Sequence, residues 1–451
     1  MTDTTASEPE ANGGAAGEVA GLCRDLLRID TSNFGDGSGP GERAAAEHVM
    51  ELLTDVGLAP ELFESERGRA SVVVRVEGEA EGTADRGALL VHGHLDVVPA
   101  DASDWRVHPF GGEERDGCLW GRGAVDMKDM DAMMLAVLRD LARSGRRPPR
   151  DLVFAFFADE EAGGVLGSHW LVDHRRDLVD GVTEAISEVG GYSVTLKGRA
   201  GDPVRLYLLQ TAEKGIAWLR LLAHGRAGHG SQIHTDNAVA RLGAAVARIG
   251  EHRWPIEITP TVRQFLDGVT ELTGVEFDPT DPDKLLSRLG TVARFVGATF
   301  QDTANPTVLR AGYKHNVVPQ LAEAFVDCRF LPGHEDTLMQ TIRELAGPGV
   351  DVEVHHRDTS LETSFDGRLV DRMVAALQAE DPGAPVLPYC LSGGTDNKAL
   401  SRLGIRGFGF APLQLPDDLD FPAMFHGVDE RVPVQALQFG TRVLERLLRT
   451  C

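Results

Sequence analysis

The stretch Leu-Val-Phe-Ala-Phe-Phe-Ala-Asp-Glu-Glu, residues 152–161, decides the fold class. Its unbroken apolar run predicts a strand buried on both faces, as in a mostly parallel sheet covered by helices. The run ends in Asp159, Glu160 and Glu161, and open α/β sheets bind their ligands at the carboxyl ends of their strands. Taken alone, three acids in a row fit a solvated turn better than a site. Other acids and histidines that also follow apolar runs favour the site.

The composition is that of a soluble globular chain. The length of 451 residues predicts two or three domains, and no apolar stretch approaches the roughly 18 residues of a membrane span. A formal net charge of −24 argues against nucleic acid and anionic membranes as partners. The five scattered cysteines include no Cys-x-x-Cys pair, which predicts reduced thiols and a cytoplasmic location.

The order of predicted elements suggests one domain inserted into another. Residues 1–17 are rich in Thr, Glu, Ala and Gly and lack a signal-peptide pattern, so we expect a disordered tail. Residues 18–200 and 360–451 alternate between strand-like and helix-like patterns, which predicts an α/β domain with a mostly parallel sheet. Residues 201–359 contain hairpin-like strands and two helices, which predicts a smaller inserted α+β domain.

Several acids and histidines occupy positions suited to a site. His94 and Asp96 follow a strand-like run and are two residues apart, so they can face the same side. Metal-bound imidazoles usually donate their second N–H to a carboxylate, and His94 with Asp96 supplies such a pair. Asp126 follows a glycine-rich segment just before a helix, where an Asp is more often an N-cap. Asp129 could cap that helix instead, and Glu188 ends another apolar strand.

Together these residues indicate a metal centre. The candidates are His94, Asp96, Asp126, Glu160, Glu161, Glu188 and His426. One histidine with two carboxylates forms an open three-ligand site, and five ligands can hold two ions if one carboxylate bridges. Such a pair can clamp a hydroxide and polarise a carbonyl, with a further carboxylate to move the proton. Glu160 and Glu161, as neighbours on an extended backbone, could divide the ligand and base roles.

The chain resembles the di-zinc aminoacylase and carboxypeptidase family of metallopeptidases, which includes succinyl-diaminopimelate desuccinylase, acetylornithine deacetylase, aminoacylase-1 and glutamate carboxypeptidase. The matching motifs follow the family's order and cover nearly all of the chain beyond the tail. They lie at residues 93–99, 121–128, 159–161, 188–191, 228–231, 316–319, 329–333, 393–396 and 426.

The resemblance implies the ligand set. His94, Asp126 and Glu188 would bind one ion. Glu161, Asp126 and His426 would bind the other, with Asp126 as the bridge. Zinc is the first expectation and cobalt the alternative, and metal availability decides between them in cells.

The resemblance also implies roles near the metals. Glu160 would be the general base and acid, and Asp96 would orient His94. The peptide bond between Asp126 and Met127 would be cis. Many relatives have Gly at the position of Asp129, so this residue departs from the family pattern.

For the inserted domain, the resemblance implies a lid that also forms a homodimer. His229 would reach the partner subunit's active site and stabilise the oxyanion. Asn316, Arg329 and the backbone of Gly393 and Gly394 would hold the substrate's carboxylate.

The implied reaction is hydrolysis of the amide bond of an N-acyl amino acid or short peptide by a metal-bridging hydroxide. Glu188 favours a deacylase or carboxypeptidase, because many dipeptidases of the family have Asp there. The alternative is a dipeptidase or aminopeptidase with the same two-metal site. A non-catalytic scaffold is disfavoured, because every candidate ligand is present in the sequence.

Overall fold

The structure is a computed structural model that describes residues 14–290 and 293–451. Most of the predicted tail, residues 1–13, lies outside this part of the chain. Residues 15–17 of that tail are helical, contrary to the prediction, because Ala15 and Val19 are fully buried in the main core.

Strands and helices alternate along much of the chain. The strands are β1 Glu61–Glu66, β2 Arg69–Val76, β3 Ala88–His94, β4 Glu113–Arg115, β5 Cys118–Trp120, β6 Leu152–Phe157, β7 Val182–Ser187, β8 Ser193–Lys197, β9 Pro203–Glu213, β10 Gly215–His224, β11 Gly228–His229, β12 Thr303–Ala311, β13 Val317–Val318, β14 Leu321–Phe330, β15 Val350–Asp358, β16 Leu361–Glu362, β17 Val386–Leu391, β18 Arg406–Gly409 and β19 Arg431–Pro433. The helices are α1 Ala15–Leu27, α2 Arg43–Thr54, α3 Ala80–Arg86, α4 Lys128–Ser144, α5 Ser168–His174, α6 Ala238–Glu251, α7 Pro260–Thr273, α8 Asp283–Leu286, α9 Ala293–Gly297, α10 Glu335–Ala346, α11 Arg368–Glu380, α12 Asn397–Ser401 and α13 Val434–Leu448.

A ten-stranded sheet forms the centre of the molecule. Its main path runs β1-β2-β6-β3-β7-β18-β9-β16, and β8 and β17 also pair with β9. The four middle strands, β6, β3, β7 and β18, are mutually parallel. Successive residues of β6 enter different cores: Phe154 and Phe156 pack with one set of helices, and Val153, Ala155 and Phe157 pack with the other. The predicted α/β class, with a mostly parallel sheet flanked by helices, is confirmed.

A second, antiparallel sheet has the order β12-β14-β10-β15 and a core of its own beneath α6 and α10. Two elements of the predicted insertion, β9 and α7, belong instead to the large sheet and its core. The predicted bounds 201–359 therefore do not coincide with the border between the two sheets. The reason is long-range packing: Phe265 and Val269 of α7 are buried in the main core, which local sequence patterns cannot reveal.

The cysteines of the described chain are all free, as their spacing predicts. None of the described helices has the length and apolar character needed to cross a membrane.

Candidate active site

The predicted metal ligands converge because they follow neighbouring parallel strands. His94 is the last residue of β3, Glu160 and Glu161 follow β6, and Glu188 follows β7. Since β3 lies between β6 and β7, their carboxyl ends meet at one edge of the sheet. Asp126 reaches the same edge from just before α4, and His426 reaches it from a loop before β19.

Asp126 lies between the two histidines. Its Oδ1 is 3.3 Å from Nε2 of His94, and its Oδ2 is 3.3 Å from Nε2 of His426. Nε2 of His426 is also 3.0 Å from Oε2 of Glu161. A carboxylate that turns one oxygen to each imidazole has the arrangement that a bridging ligand requires.

Two further glutamates surround His94. Oε2 of Glu188 lies 3.7 Å from its Nε2, and Oε2 of Glu160 lies 3.9 Å away. Ligand atoms of His94, Asp126 and Glu161 lie within 4.8 Å of one another, as do those of His94, Glu160 and Glu188. Distance alone therefore does not separate a ligand role from a base role for Glu160.

The donor set fits divalent cations. Nε2 of His94 and Oε1 of Glu161 are buried without a hydrogen-bond partner. Such orphaned atoms are costly in a protein interior. Imidazole nitrogens with carboxylate oxygens are ligands that zinc accepts, and a bound cation would satisfy both atoms.

The pKa values of the cluster reflect crowded buried charge. Burial raises the pKa of Glu161 and of Glu188 to about 7 each. Burial and the neighbouring Glu188 raise the pKa of Glu160 well above its usual value. Burial opposes ionisation of Asp126 as well, but the neighbouring imidazoles of His426 and His94 lower its pKa below the usual range. Hydrogen bonds to Asp126 and Glu161 raise the pKa of His426 to about 10.

Asp96 positions the glutamates more directly than it positions His94. Its Oδ1 and Oδ2 accept hydrogen bonds from the backbone N–H groups of Glu160 and Glu161, each at 3.0 Å. Nδ1 of His94 is 3.0 Å from the backbone carbonyl oxygen of Asp96 but 3.6 Å from its carboxylate. The predicted contact to His94 is therefore made by the carbonyl, while the carboxylate holds the turn that carries the base candidate.

Two local predictions about backbone were wrong and one is confirmed. Glu160 and Glu161 lie in a single 3-10 turn, not on extended chain, because Asp159 before them adopts φ +69°. The residue at the N-cap of α4 is Met127 and not Asp129, which is buried in the first helical turn. The peptide bond between Asp126 and Met127 is cis, as the resemblance implied.

Sequence reasoning missed Glu430, which holds the loop of Asp126. This fully buried carboxylate accepts hydrogen bonds from the backbone N–H groups of Gly123 (2.9 Å), Val125 (2.7 Å) and Asp126 (3.2 Å), and pairs with Arg122 at 2.7 Å. Glu430 lies in a loop 304 residues from Asp126, and no strand or glycine pattern marks it.

A cavity of about 320 Å³ opens above the cluster, between the two sheets. Asp126, Glu160, Glu161, Glu188 and His426 line its floor. His94 and Asp96 lie buried beneath them.

The predicted substrate-binding residues divide into two groups. Arg329 from β14 lines the cavity with Gly393 and Gly394, and its Nε is 2.8 Å from Asp327. His229 and Asn316 do not line it. They lie together on the exposed ribbon of β11 and β13, where the Gly230 N–H donates to the Asn316 carbonyl at 2.8 Å.

One wall of the cavity is apolar. It consists of Ile216 and Trp218 from β10, with Leu391 and Phe425 from the large domain's loops and strands. A substrate that reaches the candidate metal ligands would thus meet an arginine and a hydrophobic surface together.

Comparison with known proteins agrees with this geometry. The sequence profile of peptidase family M20/M25/M40 matches residues 90–450. An N-fatty-acyl-amino acid synthase/hydrolase of Xenopus tropicalis is 27% identical over 449 residues, which cover 94% of this chain and 84% of the relative. Human aminoacylase-1 is 24% identical over 441 residues, covering 95% and 93%. The fold is similar to that of an M20 family metallo-carboxypeptidase from Sulfolobus solfataricus, with a TM-score of 0.72, 18% identity and coverage of 96% and 98%.

Proposed function

Because this chain belongs to peptidase family M20/M25/M40, we infer that it is a metal-dependent hydrolase that cleaves the amide bond of an N-acyl amino acid or a short peptide. One observation carries this proposal. Two histidines face opposite oxygens of Asp126 at the carboxyl edge of a parallel sheet, with buried glutamates around them. That edge is where α/β folds place their chemistry.

Two divalent ions are proposed at this edge. His94, Asp126 and Glu188 would hold one, and Asp126, Glu161 and His426 would hold the other. We propose zinc, because its accepted ligands include both donor types. When bound, such ions polarise a carbonyl oxygen and acidify a water molecule.

Glu160 is proposed as the group that moves the proton. It would accept a proton from the attacking water and return it to the departing amine nitrogen. Its raised pKa supports this role, since a carboxylate with a higher pKa is a stronger base. Asp96 would keep Glu160 in reach through the backbone hydrogen bond.

Arg329 and the loop of Gly393 and Gly394 are proposed to hold the substrate's carboxylate. The planar guanidinium can pair both oxygens of a carboxylate, and Arg329 lies in the same cavity as the metal cluster. The apolar wall that includes Trp218 would receive a hydrophobic acyl group or side chain.

His229 and Asn316 are proposed to act across a dimer. Both lie on the exposed ribbon and outside their own cavity. In a homodimer formed through the small domain, His229 would stabilise the oxyanion and Asn316 would bind substrate in the partner's site. The free cysteines support a reducing, cytoplasmic location.

The test is a substrate panel on protein stripped with a chelator and reloaded with zinc or cobalt. We expect metal-dependent release of free amino acid from N-acyl amino acids, with apolar acyl groups preferred. Faster turnover of dipeptides would instead favour the dipeptidase alternative. Intact protein that binds no metal and hydrolyses neither class would contradict the proposal.

A further inference from the structure

A second cavity, of about 280 Å³, is lined by four arginines. They are Arg86, Arg150, Arg368 and Arg406, and the lining also includes the carboxylate of Glu184 and Cys451, whose thiol lies beside Arg150. The chain carries a formal net charge of −24, so a concentration of positive charge in one cavity runs against its composition. Like charges repel at short range, so clustered arginines need counter-charge from carboxylates or from a bound anion.

This arginine cavity lies at the amino edge of the large sheet, opposite the metal cluster. Arg86 precedes β3 by two residues, Arg150 precedes β6 by two, and Arg406 is the first residue of β18. The metal-cluster residues follow the other ends of β3 and β6. Strand β3 runs seven residues from Ala88 to His94, which corresponds to roughly 20 Å. The two sites are therefore separate.

Several donor atoms of these guanidinium groups lack acceptors, although Arg406 donates to the Ser364 and Asp366 carbonyls. Arg150 is 1% exposed, and its Nε has no hydrogen-bond partner. Nε and Nη1 of Arg86 are also buried and unpartnered, while its Nη2 donates to the Pro149 carbonyl at 3.0 Å. The Arg368 side chain is exposed, and within the described chain its guanidinium has no hydrogen bond or ion pair. Buried charged donors without acceptors are costly, so these atoms favour a bound acceptor.

Positive charge in the cavity exceeds the negative charge of its lining carboxylate, which also favours a bound anion. Glu184 is 2.8 Å from Nη1 of Arg150 and 3.9 Å from Nη1 of Arg406, so one carboxylate is divided between two arginines. Burial lowers the pKa of Arg86, and the charges of Arg368 and Arg150 lower it further. Cys451 and Asp85 offset part of this repulsion, and within the described chain neither Arg86 nor Arg368 forms an ion pair.

Helix α11 adds backbone donors to the cavity. It begins at Arg368, its second residue Leu369 lines the cavity, and no side chain caps its N-terminus. The first N–H groups of an α-helix have no intrahelical acceptor, and the helix dipole favours negative charge at this end.

We propose that the arginine cavity binds a small phosphate-type oxyanion. The ligand is either free inorganic phosphate or the phosphate group of a small phosphomonoester. Its tetrahedral oxygens can accept from arginines that approach along different directions and from the start of α11, and each guanidinium can pair two of them. The cavity volume lies below the usual range for drug-sized ligands, which limits the organic part to a few atoms.

Isothermal titration of the metal-loaded full-length protein tests this proposal. Inorganic phosphate and glycerol 3-phosphate are titrated separately at constant ionic strength. We expect one saturable site with each ligand, and Arg368→Gln should weaken binding by about tenfold or more, because a charge-assisted hydrogen bond is lost. Arg86→Gln provides a second variant with the same expectation.

Two controls separate this site from the metal cluster and from non-specific attraction. Arg402→Gln changes an arginine that pairs with Asp173 outside the cavity, and it should leave the dissociation constant unchanged. His426→Ala should also retain phosphate binding. Absence of binding at millimolar phosphate would overturn the proposal, as would binding that is lost in His426→Ala but kept in Arg368→Gln and Arg86→Gln. A tighter fit of glycerol 3-phosphate would identify the ligand as a phosphomonoester, and equal or weaker affinity would identify it as the free ion.

Discussion

At the scale of single residues, an experiment can distinguish the proposed base Glu160 from the metal ligands, although Glu160 and Glu188 lie at similar distances from Nε2 of His94. Glu160→Gln keeps the size of the side chain but removes the basic oxygen. We expect kcat to fall by about 10²–10⁴-fold while both metal ions stay bound, since general acid–base catalysis contributes that much. Metal content measured beside turnover checks this, with exposed Glu81→Gln on α3 as the control. Loss of the metals together with activity would make Glu160 a ligand instead.

A second prediction at this scale concerns Glu430. In Glu430→Gln, an amide nitrogen would face backbone N–H donors that now point at a carboxylate oxygen. The loop of Asp126 should loosen, and metal affinity should fall by about 10–100-fold, as for other supporting residues of metal sites. Competition with a chromogenic chelator measures the affinity, and Glu353→Gln on the exposed face of the small sheet is the matched control. Unchanged affinity would show that Glu430 supports the fold alone.

These residues also show what the sequence can and cannot reveal. His94, Glu161 and Glu188 were predictable because each follows an apolar run, and parallel strands bring such ends together. Glu430 was not, since its partners come from a loop far away in the chain and no periodic pattern marks it. His94 contacts the backbone carbonyl of Asp96 and not its carboxylate. This choice depends on local backbone geometry, which the two-residue spacing in the sequence does not determine.

At the scale of elements, the approach of β3 to α4 sets the position of Asp126. Gly93 allows this approach, because a Cβ atom there would lie 2.5 Å from Oδ1 of Asp131 and 2.8 Å from Cε of Met127. Both neighbours are buried, so neither can move aside freely. Gly93→Ala should therefore cost about 1–3 kcal/mol of unfolding free energy and weaken metal binding. Urea denaturation with a metal titration measures both quantities.

The control for this prediction is another glycine. Gly243 is in the middle of α6, and a Cβ atom there would meet nothing within 4 Å. Gly243→Ala should stabilise the protein by about 0.4–1 kcal/mol, since it lowers the entropy of the unfolded chain. If Gly93→Ala behaves like Gly243→Ala, close contact between β3 and α4 is not what positions Asp126.

At the scale of elements, the sequence pattern predicted a buried strand correctly but did not predict the turn that follows it or helix α7. The run at 152–157 predicted a strand that is buried on both faces, and alternate residues of β6 do enter two cores. The turn of Glu160 and Glu161 was predicted as extended chain, because the left-handed backbone of Asp159 has no signal in the sequence. Similarly, two helices were predicted within residues 201–359, whereas α7 is a further helix in this range and packs in the main core.

At the scale of the whole molecule, removal of the cations should make stability depend on pH in a particular direction. Without cations, burial raises the folded-state pKa of Glu161 and Glu188 from 4.5 to about 7, and hydrogen bonds to carboxylates raise that of His426 from 6.5 to about 10. A raised pKa means that the folded state binds protons more tightly than the unfolded state. The stabilisation is thus fully present below the unfolded-state pKa of each group and is lost as the pH rises through the folded-state value. Asp126 has the opposite shift, but its contribution changes only in acid, below its usual pKa.

We therefore expect chelated protein to become less stable as the pH rises from about 5 to 8. Metal-loaded protein should become relatively more stable over the same interval, because cations compete with protons for the same ligands and bind more tightly as those protons leave. The gap in melting temperature between the loaded and the chelated protein should consequently widen with pH. Thermal unfolding of both forms at several pH values measures this gap, and a matched series on His426→Ala should show a smaller change. A gap that stays constant or narrows as the pH rises would mean that these glutamates and His426 are not the groups at which protons and cations compete.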